Sequence, residues 1–186
     1  MTQEEGRCIA LEIHRGNRDA VGDLVAAYQD RLFTYAFHML GGSDDALDVT
    51  QEAFVKAFTT LTGKYDAERC RTLEIRPWLY RIVRNLALNR LRSRKRRDDA
   101  LVSMKDNLPA QVFDTGNDLA RTSAIRAALT ELGRESRELI ILRYIEQYTY
   151  AEIATVTGSS ESALRGKVHR ALRKLRKIME DGPSGS

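Results

Sequence analysis

The chain reads as an all-α protein: two small helical domains joined by a flexible linker, the second built as a helix-turn-helix. Three observations predict this. Proline occurs only at 77, 109 and 183 in 186 residues, and long stretches repeat their apolar residues every three to four positions rather than every second. That periodicity fails between Asp98 and Leu119 and then resumes. Positive charge is also gathered into two helical segments, although the formal net charge is only +4.

The first amphipathic helix is expected over about Asp19 to Leu40, with Val21, Leu24, Val25, Tyr28, Leu32, Ala36 and Met39 inward. Residues Met1 to Gly6 are acidic and polar, unlike a secretory signal. Gly41 and Gly42 break the first helix. Ser43 is the expected N-cap of the second, with Asp44 and Asp45 in the first turn, where the helix dipole favours negative charge. Ala46, Val49, Ala53, Phe54, Ala57, Phe58 and Leu61 form its apolar face, and Thr62 to Arg76 reads as a loop. Pro77 then sits where a helix tolerates a missing donor. Leu79, Ile82, Val83, Leu86, Ala87 and Leu91 give the third helix its core stripe.

From Asp98 to Leu119 five aspartates face one lysine, with Pro109, Gly116 and no clear period, the composition of a flexible acidic connector. The expected organisation is therefore a domain over 1–97, a linker over 98–119, a second domain over 120–179 and a frayed tail over 180–186. In the second domain Leu139, Ile140, Leu142, Tyr144 and Ile145 make an apolar helix expected to be buried. Tyr150, Ile153 and Ala154 lie on a short helix stopped at Gly158, a residue that adopts the left-handed conformation without penalty. Ser159 or Ser160 caps a second helix with a buried stripe of Leu164, Val168, Ala171, Leu172 and Leu175. Small Ala154 lets the two helices approach. This spacing is that of a DNA-reading helix-turn-helix.

Charge points to the partner. Trp78 to Arg97 holds eight Lys/Arg and no carboxylate, and Ser162 to Met179 holds seven, again without one. Phosphate backbones reward such segregation, because neutralised phosphates release counterions. On the second of these helices Ser160, Arg165, Gly166, Lys167, His169 and Arg170 are the candidate contacts. Arg165 is the natural base-edge reader, its fork matching guanine O6 and N7. Other classes lack support in the residues. No apolar run approaches the ~20 residues that span a bilayer. Cys8 and Cys70 stand far apart and read as reduced thiols of a cytoplasmic protein. His14, His38 and His169 are scattered and no glycine-rich phosphate loop follows a strand, so neither catalytic residues nor a metal or other cofactor is expected.

Three motifs in order make the assignment sharper. Asp48-Val-Thr-Gln51-Glu52-Ala-Phe54, Trp78-Leu-Tyr-Arg81-Ile-Val-Arg84-Asn85, and Leu142-Arg-Tyr144 with Tyr150-Ala-Glu-Ile-Ala154 together resemble the bacterial extracytoplasmic-function (ECF) sigma factors, initiation subunits of RNA polymerase. The resemblance covers roughly Asp19–Arg97 and Ile125–Lys177. It implies that Asp48, Gln51, Glu52 and Phe54 dock on the clamp helices of the largest subunit of core RNA polymerase. Trp78, Arg81, Arg84, Asn85 and Arg92 fall where the family melts and holds the minus-ten element of promoter DNA. The helix carrying Arg165 would read the minus-thirty-five element. An anti-sigma factor partner is implied by the resemblance alone, as is a monomer when free. The family commonly has Pro where Gly133 stands, Asp at Asn89, and Ser or Thr at Gly166. Two other functions compete. A stand-alone helix-turn-helix regulator leaves the second basic helix and the acidic motif unexplained, and a decoy for an anti-sigma factor would not need Arg81, Asn85, Arg165 and Arg170.

Overall fold

The structure, a computed structural model, describes residues 2–98, 125 and 128–181. It divides into two compact units, Met1–Asn107 and Leu108–Ser186, and among the described residues every regular element is helical. The acidic connector expected over 98–119 lies, Asp98 apart, outside the described residues.

The first unit holds five helices: α1 (Gln3–His14), α2 (Asp19–Leu40), α3 (Ser43–Gly63), α4 (Ala67–Thr72) and α5 (Ile75–Asp98). Helices α2, α3 and α5 pack against one another, and α1 touches all four others. Their shared core includes Leu32, Ala36, Ala53, Ala57, Leu61, Leu79 and Val83, all fully buried; each large aliphatic among them contributes ~1.5–3 kcal/mol of transfer free energy. Tyr35 and Tyr80 meet inside it with ring centroids 5.0 Å apart.

Two helices went unread in the sequence. Helix α1 opens with a capping box, in which Thr2 N–H donates to Glu5 Oε2 at 2.7 Å and Glu5 N–H donates to Thr2 Oγ1 at 3.2 Å. Helix α4 corrects the loop expected from Thr62 to Arg76. Asp66 accepts from Arg69 N–H at 2.7 Å and so starts a turn of helix, too short to show a period. α5 then begins at Ile75, so Pro77 lies in the first turn, where its missing N–H costs nothing. Gly41 ends α2 with φ 76°, as expected. Ser43 does not cap α3: the helix starts on it, Gly42 takes the cap position, and no side chain bonds the free N–H groups. Phe58 is 41% exposed rather than inward. Ala46, Val49, Ala53, Ala57 and Leu61 already fill the buried stripe, and Phe58 follows Ala57 by ~100° around the helix.

In the second unit residues 128–131 are helical and are followed by α6 (Arg134–Ile140), a π-helical turn (Ile141–Ile145), α7 (Tyr150–Thr157) and α8 (Glu161–Asp181). Ala128, Leu129, Leu132, Ile140, Ala171 and Leu175 form one core cluster. Gly133 has φ −56°, a value proline itself would supply, so the departure from the family's Pro changes stiffness rather than path. Arg137 ties this corner down, donating to the carbonyls of Leu129 (2.8 Å), Thr130 (2.8 Å) and Leu132 (3.1 Å). The π-helical turn corrects another expectation. Leu139, Ile140, Ile141 and Leu142 are buried, but the wider turn swings Tyr144 and Ile145 outward to 50% and 41% exposure. Helix α8 runs to Asp181, past the expected end at 179; residues 182–186 lie outside the described residues.

Candidate nucleic-acid interface

Helix α5 presents its polar strip opposite its core stripe. At ~100° per residue Trp78, Arg81, Asn85 and Arg92 fall within about 60° of arc, with Arg81, Asn85 and Arg92 exposed and Trp78 half-buried. Arg84 sits at the edge of the strip, half-buried and engaged within the fold. Trp78 is backed by Tyr65, ring centroids 5.8 Å apart and planes inclined at 41°, and the Arg69 guanidinium lies 5.6 Å from the centre of the Tyr65 ring. Neither Tyr65 nor Arg69 was singled out from the sequence. Tyr65 precedes α4, the helix whose brevity hid it, and Arg69 lies within it; their signal was an aromatic and a cation four residues apart ahead of Trp78.

The basic run of α5 is not one continuous footprint. Arg90 forms an ion pair with Asp45, Nε lying 3.0 Å from Oδ1, and donates from Nη2 to Asp48 Oδ2 at 2.6 Å. Arg94 pairs with Asp45 and donates from Nη1 to the Leu40 carbonyl at 3.2 Å. Two of the eight cations are thus turned onto α3, because the carboxylates that favour an N-terminal turn also face α5. Asp48, expected to contact a partner, already has one inside the fold. Its side chain remains 63% exposed.

On α3 the other expected docking residues stand free of the core: Gln51 and Glu52 are exposed and Phe54 is half-buried. Beside them lie three apolar residues the sequence reading did not assign to this face, Leu47, Val55 and Phe58, at 49%, 63% and 41% exposure. Leu47, Gln51, Val55 and Phe58 share a strip about 80° wide at 100° per residue, with Asp48 and Glu52 along one side. Between α3 and α5 an open groove of ≈ 670 Å³ is lined by Val49, Glu52, Leu86, Asn89, Arg90, Ser93 and Arg96.

In the second unit Thr149 begins α7 with a capping box to Glu152. Gly158 ends it at φ 73°, and Ser160 Oγ accepts from Ala163 N–H at 3.4 Å to open α8. Leu164, Val168, Ala171 and Leu175 are buried, which leaves Arg165, His169 and Arg170 exposed. Arg170 Nη1 lies 3.4 Å from where a Cβ on Gly166 would stand, so the Arg170 side chain folds back over that glycine. Lys167 is drawn aside by an ion pair to Glu135 of α6 at 2.7 Å. The Arg165 guanidinium packs 4.7 Å from the centre of the Tyr150 ring. The structure therefore gathers Arg165, Gly166, His169 and Arg170 on one surface, turns Lys167 toward α6, and makes Ser160 a helix cap.

Comparison with known proteins agrees with this geometry. The family model for sigma-70 region 2 matches residues 24–97, and that for sigma-70 region 4 matches residues 122–175. The chain is 28% identical over 181 residues to the ECF RNA polymerase sigma factor SigW of Bacillus subtilis, covering 91% of this chain and 94% of SigW. It is 32% identical to the ECF sigma factor SigE of Mycolicibacterium smegmatis, covering 85% of this chain and 64% of SigE. Among solved structures, CnrH in complex with the cytosolic domain of CnrY superposes with TM-score 0.68 at 28% identity, covering 95% of this chain and 98% of that one. No described helix is long and apolar enough to cross a membrane.

Proposed function

Since the chain belongs to the ECF group of sigma-70 RNA polymerase sigma factors, we propose a division of its work among three surfaces. The protein directs core RNA polymerase to promoters and starts transcription there. The α3 strip of Leu47, Gln51, Val55 and Phe58, flanked by Asp48 and Glu52, docks on the clamp helices of the largest polymerase subunit. Carboxylates and an amide bond a basic, polar helix while the apolar residues anchor it. The strip Trp78, Arg81, Asn85 and Arg92, with Arg84 at its edge, receives the minus-ten element, and Tyr65 backs Trp78 as a stacking wall. α8 presents Arg165, Gly166, His169 and Arg170 to the minus-thirty-five element.

Unstacking a base costs a few kcal/mol and a stacking platform returns ~1–3 kcal/mol per base. One Trp78–Tyr65 wall therefore does not melt a promoter by itself, and strand opening belongs to the complex with polymerase. The protein acts in the cytoplasm, as a monomer when free, and carries no catalytic activity of its own. The solved relatives include CnrH with the cytosolic domain of CnrY and, at 19% identity, RpoE with the anti-sigma factor NepR; we propose that this chain too is held by an anti-sigma factor.

The observation that carries the reading is the strip of half-buried Trp78 with exposed Arg81, Asn85 and Arg92, on a helix two of whose other arginines, Arg90 and Arg94, are bound to α3. Run-off transcription from a genomic promoter library, with purified core polymerase and this chain, tests it. Transcripts that start at promoters inactive with core alone are expected. No such start would refute the assignment, and a footprint on a palindrome without polymerase would favour a stand-alone regulator.

A further inference from the structure

We propose that Tyr150 is a positioning residue for promoter reading: its ring holds the Arg165 guanidinium in a set orientation before DNA arrives. This rests on the reading of Arg165 as a base-contacting residue and names what prepares it. Two guanidiniums share the ring, Arg143 at 5.0 Å and Arg165 at 4.7 Å from its centroid. A π cloud attracts both and offsets part of their mutual repulsion.

The two arginines are not equivalent. Arg143 is anchored, donating from Nη1 to the Tyr148 carbonyl at 2.7 Å. The segment it grips is itself constrained: Gln147 has φ 57°, Tyr148 N–H donates to the Leu142 carbonyl at 2.9 Å, and the Thr149–Glu152 box starts α7 at Tyr150. A non-glycine residue in the left-handed region persists only where its surroundings impose it. The π-helical turn and the capping box thus fix where Tyr150 stands, and Arg143 braces its ring. Arg165 is the partner on the recognition helix, 64% exposed, with Glu161 Oε2 at 3.9 Å, too far for a hydrogen bond. A guanidinium carbon 4.7 Å from a ring centre is held by the π cloud rather than by a hydrogen bond, so its N–H donors stay available for a base. Stacking therefore removes rotamer freedom in advance without consuming the groups that would read guanine.

Two measurements on the full chain test this. In NMR spectra the Arg165 δ-CH2 protons should lie upfield through the ring current in the wild type and in Tyr150→Phe, and return to ordinary values in Tyr150→Leu. The second uses core polymerase with a promoter library randomised across the upstream element. Tyr150→Leu should lower base preference about two- to five-fold, as an exposed cation–π contact allows, and only at the position that Arg165→Ala flattens. Tyr150→Phe should restore it, and adding Tyr150→Leu to Arg165→Ala should lower that position no further. A uniform loss across all positions, an unchanged preference in Tyr150→Leu, or failure of Tyr150→Phe to rescue overturns the proposal. If Arg165→Ala alters no position, the reading of Arg165 fails and the positioning role falls with it, even where the upfield shift persists.

Discussion

The carboxylates at the start of α3 are not equal, and their difference can be measured. Asp45 has a side chain only 21% exposed and meets both Arg90, at 3.0 Å from Nε, and Arg94. Asp48 is 63% exposed and meets Arg90 alone, at 2.6 Å. Each ion pair near the surface is worth ~0.2–1 kcal/mol, and a carboxylate in a first helical turn adds ~0.3–1 kcal/mol. Partial exposure of the partners, and the acceptor retained by asparagine, bring the expected cost of Asp45→Asn to about 1–2 kcal/mol. For Asp48→Asn the exposed-pair range of ~0.2–1 kcal/mol applies. A domain of this size moves ~4–8 °C per kcal/mol, so Asp45→Asn should lower its melting by roughly 4–16 °C and Asp48→Asn by about 1–8 °C. Trp78 is the one tryptophan in the chain and lies in α5, so its fluorescence reports this unit selectively in a thermal melt. Added salt should shrink the Asp48 effect more than the Asp45 effect. A cost for Asp48→Asn equal to or above that of Asp45→Asn would refute the ranking by burial, and no shift for Asp45→Asn would refute the network itself.

Other perturbations follow from the same geometry. Glu52→Lys reverses an exposed charge on the proposed docking strip; co-purification with core polymerase should fall at least ten-fold while the Trp78 melt stays within about 4 °C, since surface changes lie within ~0.5 kcal/mol, and undiminished co-purification would count against that strip. Gly158→Ala places a side chain at φ 73° with no atom within 4 Å of the new Cβ, so its cost is backbone strain of about 1–2 kcal/mol, visible as lowered helical stability of the second unit by circular dichroism. Cys8 is exposed and Cys70 buried. Burial, and then the Asp66 carboxylate, raise the Cys70 thiol above its ordinary pKa, which leaves less reactive thiolate at mildly alkaline pH. A thiol reagent should therefore titrate one group in the native protein and two after unfolding; two fast native thiols would contradict the buried site.

Long, regularly spaced helices were legible. Asp19–Leu40 came out with the bounds expected from its apolar repeat, and the turn at Gly158 followed from glycine's freedom and the caps around it. Short elements were not, because six residues from Ala67 show no period; α1 carried a readable capping box at Thr2 and Glu5 that went unused. Phase misled where a stripe was already full, as at Phe58, or where the helix widened, as at Tyr144 and Ile145. The candidate contacts Arg81, Asn85, Arg92, Arg165, His169 and Arg170 do reach the surface. What no spacing rule shows is pairing across elements. Arg165 and Tyr150 are separated by a turn, and Arg90 and Asp48 by 42 positions.

That last pairing changes what the basic run on α5 means. A stretch of eight cations without a carboxylate invites the view that all of them face phosphate. Asp45 and Asp48 instead draw Arg90 and Arg94 onto α3. The helix is thereby divided into an outer strip around Arg81, Asn85 and Arg92 and an inner strip that joins it to α3. The bond at Asp48 is short but exposed, so a cation of a partner helix can compete for the carboxylate at little cost. The proposed docking at α3 and the orientation of α5 thus meet in a single side chain. A polymerase contact at Asp48 would loosen Arg90 beside the groove that Glu52, Asn89 and Arg96 also line.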